Sequence, residues 1–184
     1  MKKLATFLVL SIVLLVGCTT TQAPEKEKAA WEPFIGTYVG DHMEVGKIAN
    51  TVFMHGDTID HFDLRGEVLR VIYRNDNEAL NNWFSSSTSK EKALVYNAMM
   101  GAILVPNAQG YGFEIDGELY EIPRDVLMTE MASLLPTLPQ GNDFFEEKIV
   151  EEFLTKHEQT IQQYAVDPSY RSMFIKKFSI TKTS

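Results

Sequence analysis

The sequence lacks the short motifs that mark the common enzyme classes. It contains no P-loop, no glycine pattern for dinucleotide binding and no HExxH zinc motif. The serines between positions 85 and 89 lack the flanking glycines that expose the nucleophile of a hydrolase, so we expect them to cap a helix or form a loop. Cysteine is almost absent as well, since Cys18 is the only one among 184 residues. Signals of enzyme chemistry are therefore weak throughout the chain.

Basic residues are too few to favour binding to nucleic acid or to anionic lipid headgroups. The chain has 17 Lys and Arg against 25 Asp and Glu, a net charge of -8. Neutralising phosphates requires clustered Lys and Arg. The nearest cluster, Arg171 with Lys176 and Lys177, is typical of a solvated chain end. We therefore expect no nucleic-acid partner.

Long apolar runs are absent except at the start of the chain. Residues 4–16 form such a run, but it is shorter than the roughly 20 residues that a membrane-spanning helix needs. Two lysines precede it, and Leu15-Val16-Gly17-Cys18 ends it. This arrangement resembles the lipobox of bacterial lipoproteins. The resemblance implies cleavage before Cys18, a diacylglycerol on its sulfur and an acylated new amino terminus; the alternatives are an uncleaved anchor and an ordinary secretory signal.

The resemblance assigns the start of the chain to export and anchoring. Residues 1–17 would be the signal peptide, and residues 18–30 the lipidated amino terminus and a flexible polar tether. Two or three acyl chains on Cys18 would make attachment to the bilayer effectively permanent. Thr19 resembles the pattern of lipoproteins sorted to the outer membrane, which predicts its periplasmic face if the source has two membranes. This covalent lipid is the only cofactor that we expect.

Removal of the leader would change both the charge and the thiol content of the protein. The leader holds two lysines and no acidic residue, so the 17 basic residues fall to 15 against 25 acidic ones and the net charge becomes about -10. With Cys18 acylated, no thiol remains for a disulfide, a nucleophile or a Cys-ligated zinc. Residues 31–184 must then be stabilised by their core alone, and their number predicts a single globular domain.

Hydrophobic periodicity predicts an α+β fold, with a small antiparallel sheet of about five to six strands and four to five helices packed against it. The Asp116-Gly117 pair predicts a tight hairpin because these residues readily adopt the positive φ angles of a type I′ turn. The predicted strands cover residues 34–40, 51–54, 61–64, 68–73, 112–115 and 118–122, with a turn at 65–67.

Apolar residues at helical spacing dominate the second half of the chain. They predict helices over residues 89–104 and 124–135 and a short helix that begins after Asp167. The chain after this short helix could pass into a strand at 179–182. A long helix is predicted from Asp143 onward, with one face formed by Phe145, Ile149, Phe153, Ile161 and Tyr164. Another short helix is predicted after Asp76, carrying Leu80, Trp83 and Phe84.

Histidine and aspartate are concentrated between residues 55 and 63, where imidazole and carboxylate groups could bind zinc or another divalent ion and activate water. On a strand, His61 and Asp63 point to the same face, whereas Asp60 points to the other. The candidate metal site therefore consists of His55 and Asp57 with His61 or Asp63. The alternative interpretation is a polar turn followed by the solvent face of an edge hairpin.

His157 and the group Asp41, His42 and Glu44 are further candidates for catalysis. His157 falls on the apolar face of the long predicted helix, which favours a hydrogen-bonded core or boundary histidine. Asp41, His42 and Glu44 follow a predicted strand and could act as a loop acid and base, but no nucleophile lies at a recognisable spacing.

The apolar segment from residue 93 to 105 contains the pair Met99 and Met100. Methionine suits adaptable contact surfaces, so this pair could line a groove for an acyl chain or a partner segment, with Met128 and Met131 nearby. The alternative is burial in the core against the sheet.

These patterns favour a non-enzymatic function. The leading hypothesis is a membrane-anchored lipoprotein that binds another envelope protein, as an assembly factor, an inhibitor or an immunity-type protein. An acidic surface would suit a basic partner. The alternatives are a metal-assisted envelope hydrolase that uses the residues between His55 and Asp63, and a carrier of a small apolar ligand.

Overall fold

The computed structural model describes residues 28–76, 78 and 86–183. Within them the chain forms one α+β domain with a five-stranded sheet and five α-helices, which confirms the predicted fold class. The strands are β1 (Ile59–Asp63), β2 (Val68–Tyr73), β3 (Gly110–Ile115), β4 (Glu118–Pro123) and β5 (Ser179–Lys182). The helices are α1 (His42–Thr51), α2 (Ser87–Leu104), α3 (Arg124–Leu134), α4 (Glu147–Val166) and α5 (Pro168–Ile175).

The strands lie in the sheet in the order in which they occur along the chain, from β1 to β5. All neighbours are antiparallel except β2 and β3, which are parallel, with Arg70 opposite Gly112 and Ile72 opposite Glu114. The prediction of a wholly antiparallel sheet was therefore wrong at this pair. The cause is α2, because a parallel connection needs a crossover of a dozen or more residues and this helix lies in it.

Alternating side chains confirm the predicted strand β2. Leu69, Val71 and Tyr73 are buried, while Val68, Arg70 and Ile72 are only partly buried. The predicted hairpin between β3 and β4 is also confirmed. Its two turn residues have φ angles of 54° at Asp116 and 71° at Gly117, as a type I′ turn requires.

Helix α2 is the central element of the core. All twelve of its residues from Ala93 to Leu104 are buried. It contacts β3 on one side and α3, α4 and α5 on the others, so it has no solvent-facing stripe over these three turns. The contact with the sheet is close at Gly101, where a Cβ atom would lie 3.0 Å from the Tyr111 ring.

Helix α1 was not predicted, and the strands predicted at 34–40 and 51–54 were wrong. The first segment contains a short 3-10 helix, Glu32–Phe34, and the second lies at the end of α1 and in the following turn. The helix begins after Asp41, whose side chain accepts a hydrogen bond from the Glu44 amide at 3.2 Å. Buried residues at helical spacing, including Val45 and Ile48, outweigh the local preference for extended structure.

The later helices follow the predictions with one shift. The long helix α4 begins at Glu147, because residues 141–145 form a separate 3-10 helix. As a result Ile149 is 41% exposed, and the buried face is instead Val150, Phe153, Leu154, Ile161 and Ala165. The predicted cap of α5 is confirmed by the Asp167 side chain, which accepts from the amides of the first turn.

The helix predicted to carry Leu80, Trp83 and Phe84 lies outside the described residues. Of the helices within the described ranges, none combines the length and the apolar character that crossing a membrane would require.

Candidate binding surface on the open face of the sheet

One face of the sheet packs against helices, and the other we call the open sheet face. Gly46 of α1 lies against Phe62 and Gly101 of α2 lies against Tyr111, so these helices cover the side that carries the core residues. Strand pairing then places the following residues on the opposite side: His61, Asp63, Val68, Arg70, Ile72, Glu114, Leu119 and Glu121. The side chains of Arg70 and Glu121 are each 30% exposed, so this face remains accessible.

A shallow depression of about 370 Å³ lies on the open sheet face. Its walls combine apolar side chains from β2 and β4 with charged side chains from β1 and β2. The lining residues are His61, Asp63, Arg65, Arg70, Ile72, Glu114 and Leu119, together with Phe62, whose ring packs against Gly46 on the covered side. The mixture gives the surface both apolar area and groups that can form directional hydrogen bonds, as protein-binding surfaces require.

Arg70 lies at the centre of this face and joins three strands. Its Nε donates a hydrogen bond to Glu121 Oε2 at 2.8 Å, and its Nη1 lies 3.8 Å from Asp63 Oδ2. The side chain crosses over Gly112, where a Cβ atom would come within 2.9 Å of Arg70 Cγ. Glycine at this position therefore provides the space for the guanidinium group to reach β4.

Asp63 is held in its ionised form by Arg65. The Nε and Nη2 atoms of Arg65 donate to the two carboxylate oxygens of Asp63, each at 2.8 Å. These hydrogen bonds, with the backbone amide of Arg65, hold the pKa of the Asp63 carboxyl well below its ordinary value. Asp63 is thus a fixed negative charge at every physiological pH.

The structure brings only half of the predicted metal ligands to this face. His61 and Asp63 both line the depression, as their spacing predicted, but His61 Nδ1 forms a 2.8 Å hydrogen bond with Asp60, and Asp63 is engaged by Arg65. His55 and Asp57 lie at a turn packed against the end of α1, where Gly56 would clash with Ala49 O if it had a Cβ. Burial lowers the pKa of His55 to about 4.

No group of three or more His, Cys, Asp or Glu side chains in the described ranges is arranged to hold a metal ion. The site suggested by the sequence, His55 and Asp57 with His61 or Asp63, is therefore not assembled among the described side chains. The reason is the turn at Gly56, which directs the first two residues to the end of α1 while the last two follow the strand. Metal binding stays a prediction, carried at most by the pair on the open sheet face.

The predicted methionine groove is corrected by the structure. Met99 and Met100 are both 0% exposed and belong to the core between the sheet and the outer helices. Met131 is also fully buried, and Met128 is partly buried at the edge of the core. Because α2 is covered on all sides, the apolar segment is a core element and its methionines line no surface groove.

The remaining polar candidates have structural partners. His157 lies at the boundary of the core, with Nε2 2.7 Å from Thr137 Oγ1 and its ring 4.9 Å from that of Phe153. Burial, with the positive charge of Lys156, lowers the pKa of His157. Asp41 caps α1, and the Ser86 side chain caps α2 by accepting from the Ser89 amide at 3.2 Å.

The contacts of Arg70 across the sheet were not predicted from the sequence. In β2, Arg70 lies between the buried Leu69 and Val71 and is only partly buried, so it belongs to the polar face of the strand. Its partner Glu121 is 51 residues away and could be found only once the parallel pairing of β2 and β3 was known.

Comparison with known proteins adds no relative of this chain: no family model matches it, and neither does any curated protein or any solved structure.

Proposed function

We propose that this chain is a lipid-anchored, non-enzymatic module that binds another protein of the cell envelope through the open sheet face. The observation that carries the proposal is the exposure of this face, on which the side chains of Arg70 and Glu121 are each 30% exposed. Val68, Ile72 and Leu119 present apolar atoms there and are only partly buried, while the opposite face of the same strands forms the core. Apolar side chains framed by charged ones are the usual composition of a protein-binding surface.

The charges favour a basic partner. On the open sheet face the acidic residues are Asp63, Glu114 and Glu121, and the basic residue is Arg70. Asp63 is paired with Arg65 of the adjoining turn, and Glu121 is paired with Arg70. Glu114 remains as a carboxylate without a salt bridge among the described residues, and its negative charge would attract a basic group of the partner.

The chain enters the domain on the side away from the open sheet face. Lys28 and Trp31 line a cleft together with Glu151, Thr155 and Glu158, so the chain enters the domain along α4. Helix α4 packs on α2, and α2 packs on the sheet. The open sheet face thus lies on the opposite side of the domain from Lys28, the first described residue.

The length of the tether sets how far this surface can extend from the bilayer. Lys28 is ten positions after Cys18, and an extended chain spans at most about 3.5 Å per residue. Lys28 would therefore lie within about 35 Å of the membrane surface. The two alternatives, a metal-assisted hydrolase and a carrier of an apolar ligand, have no such supporting observation among the described side chains.

Site-specific photo-crosslinking tests the proposal. A photoreactive amino acid is introduced at Leu119, on the open sheet face, or at the exposed Lys156 on α4 as a matched control, in the full-length chain in its own envelope. We expect one defined protein adduct at Leu119 and none at Lys156. Equal adducts at both positions, or no protein adduct at Leu119, would refute the proposal.

A charge variant separates a specific surface from accidental proximity. Glu114→Lys, combined with the photoreactive residue at Leu119, should lower the yield of that adduct by about threefold or more, because it removes attraction to a basic partner. An unchanged yield would exclude charge complementarity as the basis of recognition.

A further inference from the structure

A second surface, remote from the open sheet face, lies where α4 meets α5. A cavity of about 910 Å³ opens there, lined mainly by the last two turns of α4 and the first turn of α5. Its lining residues include Gln159, Gln163, Tyr164, Asp167 and Tyr170. We call it the α4–α5 cavity.

The lining of the α4–α5 cavity is polar but carries little charge. Although 23% of the chain is charged, Asp167 is the only charged residue among the described residues that line the cavity. Its carboxylate already accepts hydrogen bonds from the amides of Ser169 at 2.8 Å and Tyr170 at 3.3 Å. What remains for a ligand is a set of neutral donors and acceptors, chiefly the side-chain amides of glutamine. An anionic ligand would find no opposite charge among the described lining residues.

Two tyrosine rings give the cavity an aromatic wall. The rings of Tyr164 and Tyr170 lie 4.6 Å apart at 61° to each other, in edge contact. Tyr164 is anchored because its hydroxyl donates to Leu134 O at 3.1 Å, and Tyr170 is 39% exposed. The neighbouring Val166 is 52% exposed. A fixed aromatic surface therefore meets solvent next to the glutamine amides.

We propose that the α4–α5 cavity binds a neutral saccharide. The apolar C–H face of a sugar ring packs on an aromatic ring, and its hydroxyl or acetamido groups form hydrogen bonds with side-chain amides. The lining supplies both kinds of group side by side, and its described residues include no cationic side chain. An extended proline-rich peptide also uses aromatic grooves, but the three glutamines, Gln159, Gln162 and Gln163, favour a ligand with many hydroxyl groups. This site is separate from the open sheet face, so neither proposal depends on the other.

Titration of the full-length protein in detergent with chitohexaose and with maltohexaose, followed by calorimetry, tests the proposal. We expect at least one of them to bind with a Kd of about 1 mM or tighter. Tyr170→Ala should weaken that binding by about tenfold or more, whereas Tyr170→Phe should retain most of it because the ring remains. Tyr38→Ala, which removes a ring that is 59% exposed on another surface, should leave the Kd unchanged.

Gln163→Ala provides a second variant in case Tyr170→Ala lowers the stability of the fold. Gln163 is exposed and its removal should weaken binding by about threefold or more without changing the melting temperature. The proposal is overturned if neither oligosaccharide binds at about 5 mM, if Tyr170→Ala and Gln163→Ala both bind like the unmodified protein, or if only a proline-rich peptide binds.

Discussion

Replacement of Asn97 by leucine should cost this domain a large part of its stability. Asn97 is 0% exposed in the middle of α2. Its Oδ1 accepts from the Met54 amide at 2.7 Å, and its Nδ2 donates to Met54 O at 3.1 Å and to the Tyr73 hydroxyl oxygen at 2.9 Å. One side chain therefore satisfies both backbone groups of a residue in the turn after α1, and also links that turn to β2.

The magnitude follows from the groups that leucine would leave without partners. Three hydrogen bonds contribute about 1 kcal/mol each; the Met54 N–H would lose its side-chain partner, and the Met54 C=O would be left with the hydrogen bond from the Tyr73 hydroxyl at 3.4 Å. We expect the free energy of unfolding to fall by about 3 to 4 kcal/mol. For a domain of this size, each kcal/mol lowers the melting temperature by about 2 to 4 °C, so the expected decrease is about 10 °C.

Thermal unfolding of the full-length protein, followed by circular dichroism and calorimetry, measures this effect. The matched control is Asn50→Leu in α1, where the side chain is exposed and the expected change is within about 0.5 kcal/mol. A decrease below about 2 °C for Asn97→Leu would mean that the turn finds other hydrogen-bond partners, and the assignment of Asn97 as its anchor would be refuted.

Three further predictions concern the core, a buried ion pair and a histidine. Met99→Ala should lower the free energy of unfolding by about 3 kcal/mol through cavity formation, whereas a change below about 1 kcal/mol in chemical denaturation would contradict its position in the core. Arg171→Met should lower the free energy of unfolding by about 2 to 3 kcal/mol, because Arg171 donates to Glu91 Oε2 at 3.1 Å and to a carbonyl at the end of α4. An unchanged free energy of unfolding would show that the ion pair makes no net contribution to stability. Since burial lowers the pKa of His55 to about 4, its contribution to stability should be complete above about pH 6.5 and decrease as the pH falls toward 4. His55→Gln should remove the loss of stability that protonation of His55 causes between about pH 6.5 and 4, and His42→Gln should not. Identical denaturation profiles of His55→Gln and the unmodified protein between these pH values would disprove the role of His55.

Local signals in the sequence were sufficient for the elements whose side chains follow one period. Strand β2 alternates buried and partly buried residues, the Asp116-Gly117 pair determines its own hairpin, and Asp167-Pro168 determines the start of α5. At these positions, the secondary structure that the local sequence favours is also the one found in the folded domain. The prediction at Asp41 failed because the aromatic and β-branched residues before it suggested a strand, although its spacing to Glu44 is typical of a helix start.

Relations between distant elements could not be predicted in the same way. The parallel pairing of β2 with β3 depends on where α2 crosses the sheet, and no residue of either strand encodes that direction. For the same reason, the contact of Arg70 with Glu121 and the separation of His55 from His61 became visible only in the folded chain. The candidate surface was therefore predicted as a polar strand face, without its partners across the sheet.

The complete burial of α2 from Ala93 to Leu104 has a consequence for how the domain opens. A helix that contacts β3, α3, α4 and α5 at once cannot separate from any of them without exposing apolar surface to water. Its backbone amides should exchange their hydrogens only when the whole domain unfolds, whereas those of the exposed strand β5 should exchange through local fraying. Detachment of the outer helices and global unfolding would then be a single event, which leaves few partly folded forms open to proteases.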